Sequence, residues 1–146
     1  MIKIISKSVT ETENLGKKIA SVLKGTEVIA MFGDLGAGKT AFTRGVASGL
    51  SFEYGVSSPT FAIVNEYSGK FNIYHFDMYR ITSEDDLYST GFYDYLDNGV
   101  IIIEWSENIE YALDDNAIRI TINKTDNENY RVFSIEGLDE YENIIT

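Results

Sequence analysis

The 146-residue chain contains no cysteine. That excludes a disulfide framework, a thiolate metal site and a cysteine nucleophile. No apolar run reaches the length of about 18 residues that a membrane-spanning helix needs. The opening residues MIKIISKSVTETEN also lack the apolar stretch of a secretory signal, and the expected location is the cytoplasm. Basic residues are scarce: 12 Lys and Arg stand against 23 Asp and Glu, for a net charge of −11. Residues 81–118 hold ten carboxylates and not one Lys or Arg. Such a surface repels a phosphate backbone, so extensive direct contact with nucleic acid is not expected. The acidic stretch reads as a solvated face or as a docking surface for a basic partner protein. Internal repeats, low-complexity tracts and dividing linkers are missing too. A single domain over residues 1–146 is expected, large enough to bury a core.

What is present is a glycine-rich loop. FGDLGAGKTAF, residues 32–42, contains the pattern G-x-x-x-x-G-K-T and is entered through the apolar run EVIAMF. That run predicts a buried strand, and a helix is predicted from near Lys39 to about Leu50. Upstream, Thr10 and Glu13 have capping-box spacing, and Leu15, Ile19, Val22 and Leu23 recur at helical intervals until Gly25. Downstream, FAIVNEY and KFNIYHF alternate as a hairpin joined at Ser68-Gly69. SEDDLYSTGFYDYL predicts one or two short helices broken at Gly91. NGVIIIEW has the continuous Val and Ile of a central parallel strand, and SENIEYAL a short helix. AIRITI and YRVFSIEG predict a closing hairpin. The fold class is therefore α/β, a mixed and mostly parallel sheet flanked by helices, with β-hairpin additions.

In the loop, glycines permit backbone angles that wrap amides around a phosphate, and the following helix points its positive dipole end to the same place. Lys39 can reach the β- and γ-phosphates, and the Thr40 hydroxyl can ligate Mg²⁺. Hydrolysis needs a carboxylate as well. Two apolar strands end in one, at Asp77 and at Glu104, and ligands of open α/β sheets bind at the carboxyl ends of strands. Either carboxylate can instead cap a helix, and Asp77 can pair with Arg80. His75 shares a strand face with Asp77, yet a lone His in an apolar run is more often packed structure than a catalyst. Trp105, directly after Glu104, reads equally as core or as a platform near the nucleotide or a partner.

Asn123-Lys124-Thr125-Asp126 spells N-K-x-D, a guanine-reading signature, and Thr60 stands where a switch threonine would. No D-x-x-G follows a strand between them, and NENYRVFSIEG after Asp126 reads as a returning strand where a guanine reader needs a helix. Asn, Thr and Asp are ordinary turn residues, so a hairpin loop is the preferred reading.

GDLGAGKTAFTRG, SSPTFAIVNEY, YHFDMYR, STGFYDYL and VIIIEWSE together resemble the TsaE (YjeE) family in order and spacing, from about residue 28 to residue 107. The resemblance implies a bacterial P-loop ATPase needed for the threonylcarbamoyladenosine modification of tRNA. It implies that Leu35, Gly36, Ala37, Gly38, Lys39 and Thr40 contact the phosphates of ATP, and that Thr40 and Glu104 hold Mg²⁺. Asp77 is implied as the catalytic carboxylate, with Lys39 and Glu104 beside it, and Thr60 as part of a switch-like segment. Residues 8–10, Thr10 among them, and Arg131 fall about where the family touches the rest of the nucleotide. The implied partner is a TsaB–TsaD complex, with tRNA met through that partner and no membrane involved. The family commonly has EWPE where this chain has EWSE, so Ser106 is expected to have a local effect only. Two other readings stay open beside this one: a small-molecule kinase, although no lid-like Arg cluster accompanies the loop, and a nucleotide-gated binding module in which hydrolysis is incidental.

Overall fold

A computed structural model describes residues 1–33, 38–52 and 64–146. Seven strands form one sheet in the order β1-β7-β6-β2-β5-β4-β3. They are β1 (Ile2–Ser6), β2 (Val28–Gly33), β3 (Val64–Ser68), β4 (Asn72–Asp77), β5 (Val100–Glu104), β6 (Ile118–Lys124) and β7 (Arg131–Glu136). β2 lies parallel to β5 and to β6, and β4 parallel to β5. β3 returns against β4, and β7 against β6 and β1, all antiparallel. The expected mixed sheet with two hairpins is thus observed. Every residue of β5 is buried, as a strand covered on both faces and flanked by parallel neighbours requires.

Helices α1 (Val9–Ala20) and α2 (Lys39–Gly49) cover one face. Their residues Leu15, Ile19, Phe42 and Val46 pack with Ile29, Met31, Ile120 and Phe133 of the sheet. The two helices cross at backbone distance. A Cβ on Gly45 would stand 2.1 Å from the Glu13 carbonyl oxygen, and one on Gly16 would stand 2.5 Å from that of Phe42. Arg44 and Glu13 pair across the crossing at 2.8 Å. The opposite face is covered by short pieces: α3 (Glu84–Ser89), α4 (Phe92–Tyr95) and a 3-10 helix, Ser106–Ala112. Here Phe76, Met78, Ile101 and Ile103 meet Leu87, Phe92 and Ile109. Gly91, at φ +76°, separates α3 from α4 as expected.

Two local expectations shift. The N-cap of α1 is Ser8, whose hydroxyl accepts from Glu11 N–H while Glu11 Oε2 accepts from Lys7 N–H. The capping pair therefore sits two positions before Thr10 and Glu13. The helix ends at Ala20 with Ser21 as C-cap, and Gly25 lies beyond it in the turn into β2. Two further elements lacked a signal strong enough to draw them out: edge strand β1 and a final turn, α5 (Glu142–Ile145).

Candidate nucleotide site

β2 ends at Gly33, where the loop begins. Its φ is +119°, and a Cβ there would lie 2.0 Å from the Ile122 carbonyl oxygen, so only glycine fits. Its N–H donates to Glu107 Oε2 at 3.0 Å. Asp34, Leu35, Gly36 and Ala37 lie outside the described residues, as do Thr60 and the first residues of the FAIVNEY segment. Gly38, φ +100°, is the left-handed N-cap from which α2 starts. A left-handed entry turns successive amides toward one point ahead of the helix, which is how such loops hold anions.

Lys39 is buried, and its Nζ has no hydrogen-bond partner among the described residues. The ammonium lies 4.9 Å from the centre of the Trp105 ring, a cation–π contact that leaves its donors unsatisfied. Thr40 follows on the first turn of α2. A buried cation without an acceptor is costly to maintain.

The parallel pairing of β4 with β5 sets Asp77 directly beside Glu104. The two strand-end carboxylates thus share the edge of the sheet at which β2 enters the loop. Burial pushes the Asp77 carboxyl up, and the neighbouring Glu104 adds to this. The Tyr79 N–H, donating to Asp77 Oδ1 at 2.9 Å, acts the other way, as do the neighbouring His75 and Lys39. No ion pair joins Asp77 to Arg80 among the described residues; the Tyr79 amide holds Asp77 instead. Glu104 is buried and lies 2.9 Å from Nε2 of the fully buried His75, whose Nδ1 lies 3.3 Å from the Tyr67 hydroxyl.

Trp105 stands at φ +61°, a left-handed conformation that is uncommon outside glycine. It thereby turns its ring out of the β5 register, between Lys39 and Tyr79, whose ring centre is 5.0 Å away. The half-buried ring does both things the open choice allowed: it packs against the core of Phe76, Ile101 and Ile103, and it faces Lys39. Asn108 donates to the carbonyls of Met78 and Tyr79 at 2.8 and 3.2 Å, tying the 3-10 helix to the turn after β4. Ser106 is the first residue of that helix, a position where proline is also accommodated. It is buried, and its hydroxyl donates to the Ile103 carbonyl at 3.2 Å.

A cleft of about 360 Å³ adjoins Gly38, lined by Lys7, Ser8, Val9, Thr12, Ala41, Glu128, Asn129 and Arg131. Arg131 thus lines this cleft together with Gly38. Thr10 does not: it is exposed on α1, while Ser8, Val9 and Thr12 represent that segment in the cleft. The N-K-x-D residues run from the end of β6 into the predicted hairpin loop. Asn123 and Lys124 pair with Val132 and Arg131 within the β6–β7 hairpin, and the Thr125 hydroxyl accepts from Asn127 N–H. Glu107 and Tyr67 are site neighbours that the reading of the sequence passed over. The first is spelled out in EWSE. The second reaches His75 diagonally across a hairpin, which spacing alone does not announce.

The geometry agrees with comparisons to known proteins. Residues 6–133 match the family described as threonylcarbamoyl adenosine biosynthesis protein TsaE. The tRNA threonylcarbamoyladenosine biosynthesis protein TsaE of Rickettsia prowazekii is 42% identical over 127 residues, covering 86% of this chain and 88% of the relative. That of Bacillus subtilis is 39% identical over 130 residues, covering 87% and 81%. The crystal structure of Bacillus subtilis YdiB superposes with a TM-score of 0.73 at 30% identity, covering 99% of this chain and 90% of that one. The chain belongs to the TsaE family of tRNA threonylcarbamoyladenosine biosynthesis proteins.

Proposed function

We propose that the protein is a Mg²⁺-dependent ATPase whose hydrolysis supports turnover of a TsaB–TsaD-type complex during tRNA threonylcarbamoyladenosine formation. The observation that carries this reading is Lys39, a buried ammonium without a hydrogen-bond acceptor among the described residues, set before two adjacent strand-end carboxylates. A polyphosphate supplies the acceptors that Lys39 lacks. The carboxylate pair fits a divalent cation, because burial and mutual repulsion are relieved when a positive charge enters between them.

Thr40 and Glu104 would hold Mg²⁺, with Leu35, Gly36, Ala37, Gly38 and Lys39 around the phosphates. Bound there, the ion would neutralise phosphate oxygens and stabilise charge building on the leaving diphosphate. Asp77 orients the attacking water and accepts its proton, and its raised basicity suits that task. Trp105 covers the Lys39 ammonium and keeps bulk water from it. Arg131, Ser8 and Thr12 line the cleft in which the nucleoside would lie. With its net charge of −11, the protein meets tRNA only through its partners.

The test is nucleotide binding and ATP hydrolysis with three variants. Lys39→Ala is expected to abolish binding. Asp77→Ala and Glu104→Ala are expected to keep much of the binding and lose about a hundredfold or more in turnover. Normal turnover in both carboxylate variants removes the site assignment. The partner is tested by adding purified TsaB–TsaD: an unchanged hydrolysis rate and unchanged nucleotide affinity speak against it.

A further inference from the structure

The chain has a single histidine, and it is fully buried on β4. A buried imidazole has two polar nitrogens to satisfy, and His75 is engaged at both. Nε2 is 2.9 Å from Glu104 Oε2 and Nδ1 is 3.3 Å from the Tyr67 hydroxyl. An ionised carboxylate only accepts, so Nε2 carries the proton. The Nδ1 of a neutral ring then only accepts, and the Tyr67 hydroxyl is the donor that fixes this tautomer. Tyr67 is itself buried, and its ring packs against Phe52 with centres 4.8 Å apart. The chain of contacts therefore runs from a rigid aromatic pair, through the imidazole, to one oxygen of Glu104.

A glutamate side chain free to rotate loses conformational freedom when it takes a metal, whereas one already held does not. Ligating carboxylates are commonly hydrogen-bonded from behind for this reason. We propose that His75, locked in its tautomer by Tyr67, is a positioning residue that holds Glu104 in the orientation in which it takes a divalent cation. The inference rests on the reading of Glu104 as a metal ligand.

Trp105, the only tryptophan, adjoins Glu104 and supplies a fluorescence signal independent of turnover. ATP is titrated without metal, and Mg²⁺ is then titrated into the ATP complex. His75→Phe keeps the bulk and removes the donor; His75→Gln keeps an N–H within reach. His75→Phe is expected to bind metal-free ATP as the unmodified protein does and to need about 10- to 100-fold more Mg²⁺ for half-saturation. His75→Gln is expected to recover most of that loss. A native Mg²⁺ requirement in His75→Phe, with a raised one in Glu104→Gln, overturns the proposal. A native requirement in Glu104→Gln instead overturns the reading of Glu104 itself. Should His75→Phe fail to fold, the single imidazole of the unmodified protein decides by nitrogen–proton NMR. An Nε2–H tautomer whose proton shifts when Mg²⁺ joins the ATP complex is expected. An Nδ1–H tautomer, or an Nε2 proton indifferent to Mg²⁺, overturns the proposal.

Discussion

The two faces of the sheet are built on opposite principles. On one, α1 and α2 approach until backbone meets backbone at Gly16 and Gly45. On the other, short helices are held by large side chains, Leu87, Phe92 and Ile109 against Phe76, Ile101 and Ile103. The first face contributes Lys39 at the start of α2; the second carries Trp105 at the head of its 3-10 helix. The site forms where they touch, with the lysine of one against the tryptophan of the other. The close-packed pair gives the loop a rigid exit, while the acidic side leaves tyrosines 79, 88, 93 and 111 exposed. The comparison teaches that position is fixed on one face by the absence of side chains and on the other by their fit.

Removing atoms should hurt the second face most. Leu87→Ala is expected to cost about 2–5 kcal/mol in urea unfolding, because it leaves a cavity under α3. Adding one atom should hurt the first. Gly45→Ala places a methyl 2.1 Å from a carbonyl oxygen and is expected to cost about 1–3 kcal/mol as the helices move apart. A neutral Gly45→Ala would mean that the crossing is not close-packed. The ion pair across the same crossing is a weaker brace. Both side chains are partly exposed, at 43% and 31%, so Arg44→Ala is expected to cost about 0.2–1 kcal/mol. A larger loss would assign the helix pair's rigidity to charge rather than to glycine.

The contrast also explains what could be read from the chain alone. G-x-x-x-x-G-K-T and the continuous VIII run are local signals with one structural meaning each, and both elements appear where expected. The returning strand after Asp126 likewise disposed of the guanine-reading motif. Edge strand β1 was missed because IKIIS is short and its exposed Ile5 breaks the alternation. The capping pair was misplaced by two residues because SVTETE offers Ser8 with Glu11 and Thr10 with Glu13 at the same spacing. The contacts of His75 are not legible in the sequence for a different reason. Its partners come from β3 and β5, and only the sheet order brings Tyr67 and Glu104 to its two nitrogens.

The smallest effect separates two carboxylates that the sequence treats alike. Asp86, exposed at the start of α3, accepts from the Thr82 N–H and hydroxyl, which hold its carboxyl below the ordinary value of 3.8. A depressed folded-state value contributes stability above the unfolded value, and that contribution is lost as pH falls through the folded one. Asp77 carries the opposite sign, since burial raises its carboxyl above 3.8. Its ionised form weakens the fold at neutral pH, and the weakness is relieved as pH falls through the raised value. In protein free of nucleotide and metal, Asp77→Asn is therefore expected to melt higher than the unmodified chain at neutral pH. Asp86→Asn is expected to melt slightly lower. Both differences should shrink in acid, with that of Asp77 closing first because its carboxyl protonates at higher pH. An Asp77→Asn protein that melts lower at neutral pH would show that the Tyr79 hydrogen bond and the neighbouring His75 and Lys39 outweigh burial. Asp77 would then stabilise the fold instead of straining it.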